Sequence, residues 1–365
     1  MSHRTDSDDY LRIFLNDTPL MDVRAPVEAL KGAFPSSENR PLLDDEQRHL
    51  IGTRYKEKGE AQAIALGLEL ATPEIRSQRY QAWKAFCQQY PEGYLFCFRG
   101  GLRSRTTQQW LAEQGVDYPI VTGGYKAMRR FLLEQLEQSL TSVHCLSIAG
   151  PTGSGKTRVL KKIEHHVDFE GLAQHRGSAF GRNPTDTQPS NIDWENAVSV
   201  AFLKHQHFFP STRLFVEDEG RLIGRICVPE NLERMCKSND LVILEETLDH
   251  RVDMICEDYI DLQWPLYSEL FGSAAEERFG RFVLDSLARI KKRLGGARYQ
   301  YLNHSFVEAL AYFFSTKNSE GFSEGIGILL TEYYDPMYSY QFSKREGKVV
   351  FSGGRDEVLS WANAQ

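Results

Sequence analysis

The sequence predicts an α/β protein of two units in tandem, each built on a parallel sheet, with the second ending in a helical region. Three observations carry this. Strand and helix patterns alternate from residue 10 to 140. A second strand–loop–helix set opens at Val143, and after Asp249 the apolar spacing is mainly helical. The expected domains are therefore 1–140 and 141–365. A chain of 365 residues is too long for one ordinary core, and 41% hydrophobic residues suffice to fill two.

Taken in order, Pro19-Leu20-Met21-Asp22-Val23-Arg24 is a short apolar run ending in charge. Residues 73–90 read as a helix: Pro73 suits a first turn, and Ile75, Tyr80, Trp83, Phe86 and Cys87 recur at helical spacing. A strand over 93–98 is followed by a helix over 104–114, then by Ile120-Val121 leading into the turn Gly123-Gly124. Residues 126–140 form a helix with Met128, Phe131, Leu132, Leu136 and Leu140 on one side, and the polar residues around its end mark the domain boundary. Residues 143–149 read as a strand and 157–166 as a helix, with further strands at 214–216 and 241–244. The stretch 177–191, rich in Gly, Pro, Ser, Thr and Asn, is a long loop of the kind that often carries function.

Composition narrows the classes. A net charge of -7 argues against a globally nucleic-acid-binding surface but leaves room for a local basic patch. No run approaches the roughly 18 apolar residues of a membrane helix, and the polar start Met1 to Asp9 has no signal-like apolar region. Six cysteines, at 87, 97, 145, 227, 236 and 256, form no CxxC pair, so neither a disulfide framework nor a structural metal site is expected. These readings predict a cytoplasmic protein with mostly buried thiols.

One cysteine departs from that pattern. In Cys97-Phe98-Arg99-Gly100-Gly101-Leu102-Arg103-Ser104 a strand delivers Cys97 to the start of a helix, with Ser104 a good capping type. Gly100 and Gly101 let the backbone curl so that several amides point inward, and the helix dipole favours an anion there. Both effects lower a thiol pKa and make a nucleophile. Arg99, Gly100, Gly101 and Arg103 are the candidate anion-binding residues. A second loop, Gly150-Pro151-Thr152-Gly153-Ser154-Gly155-Lys156-Thr157, fits G-x4-G-K-[ST] between a strand and a helix. Its amides, including those of Gly150, Gly153, Ser154 and Gly155, would cradle phosphate, with Lys156 as point charge and Thr157 facing magnesium. Leu214-Phe215-Val216-Glu217-Asp218-Glu219 is an apolar strand ending in acids, so Glu217 or Asp218 could hold magnesium through water; a solvated acidic strand end is an equal reading.

The Cys97 loop resembles that of the rhodanese superfamily, as do Met21-Asp22-Val23-Arg24-Ala25-Pro26-Val27-Glu28 upstream and Val121-Thr122-Gly123-Gly124-Tyr125 downstream. That resemblance implies a rhodanese-like parallel-sheet domain carrying a chalcogen on Cys97 as a persulfide-type adduct. The C-x5-R spacing is one residue longer than the usual sulfur-transfer loop and is similar to that of rhodanese-fold phosphatases. A phosphatase coupled to a nucleotide-binding P-loop is accordingly the alternative. A sulfurtransferase using thiosulfate and a non-catalytic RNA-binding switch are further ones.

The order rhodanese-like domain, then P-loop NTPase-like domain with a helical end, resembles the tRNA 2-selenouridine synthases. Gly171-Leu172-Ala173-Gln174-His175-Arg176-Gly177-Ser178-Ala179-Phe180-Gly181, Gln188-Pro189, Leu222-Ile223-Gly224-Arg225 and Val228-Pro229 strengthen the match. The resemblance implies a selenotransferase acting on wobble 2-thiouridine of tRNA with selenophosphate, through a geranyl group taken from geranyl diphosphate. Cys97 would carry selenium as a selenenylsulfide. No tightly bound cofactor is implied beyond magnesium with a diphosphate, and selenophosphate synthetase is a conceivable protein partner. Candidate tRNA contacts are Arg129, Arg130, Lys291, Lys292 and Arg293, against the plainer reading of solvated helix faces. Tyr333, Tyr334, Tyr338 and Tyr340 suit base stacking or, more commonly, packing. His165, His166 and His175 have no metal-ligand spacing and read as ordinary histidines or anion contacts.

Overall fold

A computed structural model describes residues 4–178, 180–182, 184–185 and 188–365. Ala179, Asn183, Asp186 and Thr187, which fall in the segments 171–181 and 177–191 singled out above, lie outside the described residues. The chain divides into two compact units. One comprises Met1–Thr141 with Ser190–Phe208, the other Ser142–Pro189 with Phe209–Gln365.

The first unit centres on three short parallel strands, β1 (Leu20–Asp22), β2 (Ser37–Asn39) and β3 (Tyr94–Phe96), in the order β2-β1-β3. Strand β1 is buried along its whole length, as a parallel strand covered on both faces must be. Alternation along it splits the core. Leu20 joins Phe14, Phe34, Phe96, Met128 and Leu132 on one side. Met21 joins Trp83, Phe86, Leu95, Cys97 and Leu111 on the other. Residues of the helix Pro73–Gln89 therefore cover one face and those of Gly124–Ser142 the other.

Residues 191–208, which the expected boundary at 141 put in the second domain, form the helix Asn191–Phe208 and belong to the first unit. Its Val200 and Leu203 complete the core that contains Leu20. Polar contacts fix it further: Asp193 accepts from the Ala33 amide, and Asn196 donates to the Ala33 carbonyl at 2.6 Å. Its allegiance depends on residues about 160 positions away.

The second unit holds β4 (Cys145–Ala149), β5 (His166–Val167), β6 (Leu214–Glu217), the hairpin of β7 (Leu222–Ile223) and β8 (Ile226–Cys227), β9 (Asp240–Leu244) and β10 (Val349–Gly353). Its main sheet runs β10-β9-β4-β6-β5, all parallel. The loop from Gly150 thus leaves the central strand. The helix expected over 157–166 is only Lys156–Leu160. Tight turns at Lys162 and Ile163 close it, and the chain then extends so that His166 and Val167 can pair with β6. Strand β10 interrupts a C-terminal region expected to be mainly helical and adds an edge beside β9. Elsewhere that region is helical. Phe279, Phe282, Val283, Leu287, Ile290 and Leu294 of the helix Ala275–Leu294 pack on Leu302, Phe306 and Phe313 of Gly296–Thr316. Among the described residues, no helix is long and apolar enough to cross a membrane.

Candidate functional sites

In the first unit, β3 ends at Phe96 and hands Cys97 to a loop whose helix, Leu102–Ala112, begins two residues before the expected Ser104. The amides before Arg105 precede the first helical hydrogen bond, so they are available to the loop. The Gly123-Gly124 turn closes on the loop from the other side. Tyr125 and Lys126 donate their amides to the carbonyls of Cys97 and Phe98 at 2.9 and 3.0 Å. A Cβ on Gly124 would sit 2.3 Å from the Cys97 carbonyl oxygen, so only glycine permits this approach.

Cys97 is buried, and burial alone would push its thiol up. The Ser104 hydroxyl, the amides of Arg99 and Ser104 and the Arg103 charge outweigh that, and the thiol ends below its ordinary value. Ser104 is fully buried and its hydroxyl has no other partner. Gly101, not Ser104, takes the cap position of this helix, and the Ser104 hydroxyl lowers the Cys97 thiol. Other thiols go the opposite way: burial raises Cys87 and the partly buried Cys145 to about 12 and Cys256 to about 11. Cys97 is thus singled out chemically as well as by position.

The structure brings Arg99, Gly100, Gly101 and Arg103 onto this one loop, with two different postures. Arg99 is exposed. Arg103 is held by the half-buried Glu28 through both guanidinium nitrogens, one of them 3.2 Å from Oε1. It therefore acts on the loop as an oriented, partly neutralised charge. Glu28 comes from the same upstream segment as the buried Asp22–Arg24 pair, and the Arg24 guanidinium lies 3.9 Å from the Tyr125 ring centre.

In the second unit, the loop from Gly150 to Thr157 leads into the helix that Lys156 begins. Gly153 takes a φ of 83°, and a Cβ there would meet the Arg251 carbonyl oxygen at 2.9 Å. Arg251 positions the loop in turn, donating to the Thr152 carbonyl at 2.9 Å while Asp335 holds its other end. Lys156 Nζ folds back on the Gly150 carbonyl at 2.9 Å. Ser154 is fully buried with an unpartnered hydroxyl.

Thr157 Oγ1 lies 2.9 Å from Glu217 Oε1 and 3.1 Å from Glu170 Oε2, and Glu217 also accepts the Glu170 amide. One hydroxyl has one hydrogen, so two unprotonated carboxylates cannot both accept it. A shared proton resolves this. Burial first pushes Glu170, Glu217 and Glu219 above the usual carboxylate range, and acidic neighbours add to it: Asp168 for Glu170, Glu170 and Asp168 for Glu217, and Glu170 and Glu217 for Glu219. Of the two acids expected near magnesium, Glu217 reaches Thr157. Asp218 is instead ion-paired with the buried Arg345. Glu170 was not anticipated, because nothing local ties its spacing to the glycine-rich loop. Among the described residues no cluster of three or more His, Cys, Asp or Glu is arranged to hold a metal by itself.

The loop opens on a cleft of about 1130 Å³ whose lining includes Lys156, Thr157, Glu170, Glu219, His175 and several arginines. A smaller cavity of about 40 Å³ adjoins it, lined by Phe180, Ile260, Val283, Phe306, Phe322, Ile326, Leu329 and Leu330. Thr152, Ser178, Ile255, Tyr259 and Tyr334 line both. Two π-helical turns, Glu257–Asp261 and Leu330–Tyr334, supply the two tyrosines. Such turns recur at functional sites. No motif marks this cavity, since its walls come from segments over 140 residues apart.

The candidate RNA contacts have different local surroundings. Arg129 is taken up by Glu195 and Asn196, and Arg130 pairs with Glu134. Lys291 lies over the Tyr299 ring and Lys292 is exposed, while Arg293 lines the cleft. Of the tyrosines, Tyr334 and Tyr338 line the cleft and Tyr333 packs edge-on against Tyr334. Tyr340 is exposed beneath Lys344. His166 contacts the Ile163 carbonyl at 2.7 Å and His165 packs on Phe209, both structural roles. His175 is buried with an unpartnered Nδ1.

Residues 143–365 match the family model described as the tRNA 2-selenouridine synthase AAA domain. A tRNA 2-selenouridine synthase of Marinobacter nauticus is 49% identical over 366 residues, covering 100% of this chain and 99% of that protein. That of Alcanivorax borkumensis is 48% identical over 363 residues, covering 99% and 100%. That of Shewanella halifaxensis is 45% identical over 354 residues, covering 97% and 96%.

Proposed function

The chain belongs to the tRNA 2-selenouridine synthase family, and from that premise we propose that it replaces sulfur by selenium in wobble 2-thiouridine, first alkylating the sulfur from geranyl diphosphate. The observation that carries this reading is the shared wall between a phosphate cradle and an apolar cavity. A diphosphate ester with an apolar tail presents those two chemistries together. The cavity, about 40 Å³, is roughly three times the 10–15 Å³ needed for one water-sized sphere. It suits one branched isoprene end, with the rest of the tail lying along Tyr259 and Tyr334.

The residues fit a magnesium-bound diphosphate. Thr157 would face the ion, with Glu217 and Glu170 behind it through water, and the buried Ser154 hydroxyl supplies a donor that lacks a protein partner. When bound, magnesium neutralises charge on the leaving diphosphate. Lys156 swings from the Gly150 carbonyl to the departing oxygen, and the loop amides hold the phosphates in place. The thiocarbonyl sulfur attacks the first prenyl carbon as the carbon–oxygen bond breaks. The alkylated sulfur is then a competent leaving group at carbon 2.

We read the first unit as a rhodanese-like domain that delivers selenium. Selenium in selenophosphate is already at the selenide level, the level that displacement at carbon 2 requires. Storing it on Cys97 as a selenenylsulfide would need an electron acceptor. Attack of the Cys97 thiolate on phosphorus does not. A sulfur–phosphorus bond forms, the phosphorus–selenium bond breaks, and selenide leaves with the electron pair. Selenide then displaces the geranylthiolate, and water later frees phosphate from Cys97. The C-x5-R loop length, which is similar to that of phosphatases, favours attack at phosphorus.

The test is to incubate the protein with thiolated tRNA, geranyl diphosphate and selenophosphate, and to weigh the digested nucleosides. The expected products are 2-selenouridine, and S-geranylated thiouridine when selenophosphate is left out. An unchanged wobble base with folded protein refutes the reading. Mass spectrometry of the Cys97 peptide after selenophosphate alone separates the two roles of the thiol: gain of phosphoryl supports attack at phosphorus, and gain of the selenium isotope pattern supports the selenenylsulfide.

A further inference from the structure

We infer that the RNA backbone lies along an arginine wall of the phosphate-loop cleft, formed by Arg182, Arg221 and Arg293. This rests on the reading of tRNA as substrate and assigns the surface that holds it. The three line the cleft and are exposed. They come from three separate segments: the loop after the helix Phe169–Leu172, the turn before β7, and the helix Ala275–Leu294.

The charge pattern of the cleft separates these three from its other cations. Arg158 is paired with Glu257 and Asp258, Arg176 with Asp258, and Lys161 with Asp168. Lys156 is committed to the phosphate loop. Arg182, Arg221 and Arg293 have no carboxylate partner among the described residues. A further cation acts on Arg182: among the described residues, Arg289 donates to the Asp285 carbonyl and the Ser286 hydroxyl and has no carboxylate partner. Burial and the Arg182 charge both weaken its hold on its proton. His175 feels the same field: burial and the charges of Arg182, Arg289 and Arg225 hold it below its ordinary value.

A protein of net charge -7 that gathers uncompensated arginines in one place carries like-charge repulsion that an arriving anion relieves. The diphosphate is not that anion, since the loop and Lys156 already serve it. Cations spread over three segments exceed what one small anion needs and suit a chain of phosphates. The wall shares its cleft with the phosphate loop, so an RNA held there brings a base within the same cavity system as the alkyl donor.

The experiment measures binding of a fluorescent anticodon stem-loop RNA by the full chain at several salt concentrations. An all-uridine wobble position is used, so binding is read without chemistry. Arg182→Ala, Arg221→Ala and Arg293→Ala are each expected to weaken binding and to lower the slope of log affinity against log salt by about 1. Each removal then makes the affinity change between about 50 and 200 mM salt about fourfold smaller. Binding of magnesium pyrophosphate by the same variants serves as the fold control and is expected to stay as in the wild type. Arg234→Ala is the surface-charge control, since Arg234 is exposed, pairs with Glu230 and does not line the cleft.

A triple variant that binds pyrophosphate and RNA like the wild type overturns the assignment. So does a loss of equal size in Arg234→Ala. A triple variant that keeps RNA binding but loses inorganic thiophosphate makes the wall a small-anion site instead. If the wild type binds no RNA at all, the tRNA reading fails and takes the wall with it.

Discussion

The Thr157 hydroxyl lies 2.9 Å from Glu217, a carboxyl that burial and its acidic neighbours hold above its ordinary range. A carboxyl whose folded value is raised stabilises the fold fully below its unfolded value of about 4.3. That contribution is lost as pH rises through the folded value. Glu217→Gln keeps the geometry without the titration. Urea unfolding from pH 5 to 8 is expected to show a loss of stability with rising pH in the wild type and a flatter profile in the variant.

The same cluster makes ligand binding proton-linked. Magnesium with a diphosphate favours the charged carboxylates and is expected to release protons on binding. Calorimetric titrations in buffers of different ionisation enthalpy check this. The observed enthalpy should depend on the buffer in the wild type and depend on it less in Glu217→Gln.

Lys156→Ala removes the charge that meets the departing diphosphate. Alkylation is expected to fall by about 100-fold or more. Selenation of a tRNA supplied already geranylated is expected to persist. Cys97→Ala should show the reverse, alkylating normally and yielding no selenouridine. Nucleoside mass spectrometry on both substrates reads both variants.

Ser104→Ala takes the buried hydroxyl from the Cys97 thiolate. The thiol should then ionise at higher pH. The pH profile of Cys97 alkylation by iodoacetamide is expected to move upward, with the fold unchanged by circular dichroism.

Ile326 lines the apolar cavity and is itself buried. Ile326→Phe fills the space proposed for the tail end. KM for the prenyl donor is expected to rise by about ten-fold or more, the scale on which apolar pockets discriminate small volume changes. Affinity for inorganic pyrophosphate, which has no tail, should stay as it is.

The features legible in the sequence are those whose parts are close together in it. The Cys97 loop and the Gly150–Thr157 loop are each one short segment between a strand and a helix, so spacing alone exposes them. The packing face of Ala275–Leu294 was likewise visible as periodicity. What escaped depends on distant partners. Glu170 reaches Thr157 only because β5 lies beside β6. The apolar cavity needs Phe180 and Leu330 to converge. Arg103 looked like a free anion ligand because Glu28, which holds it, lies 75 residues earlier. Asp218 looked free for the same reason, with Arg345 far downstream.

The return of the helix Asn191–Phe208 to the first unit sets the order in which a ribosome can finish this protein. All three strands of the first sheet are made by Phe96, yet Val200 and Leu203, which close its core, emerge only after the phosphate loop has been synthesised. Strand β4 must meanwhile wait for β6 and β9, its two neighbours. The units therefore mature in an interleaved order instead of one after the other. A nascent chain stopped at residue 141 carries an apolar patch around Phe14 and Leu132 that its own later helix would have covered.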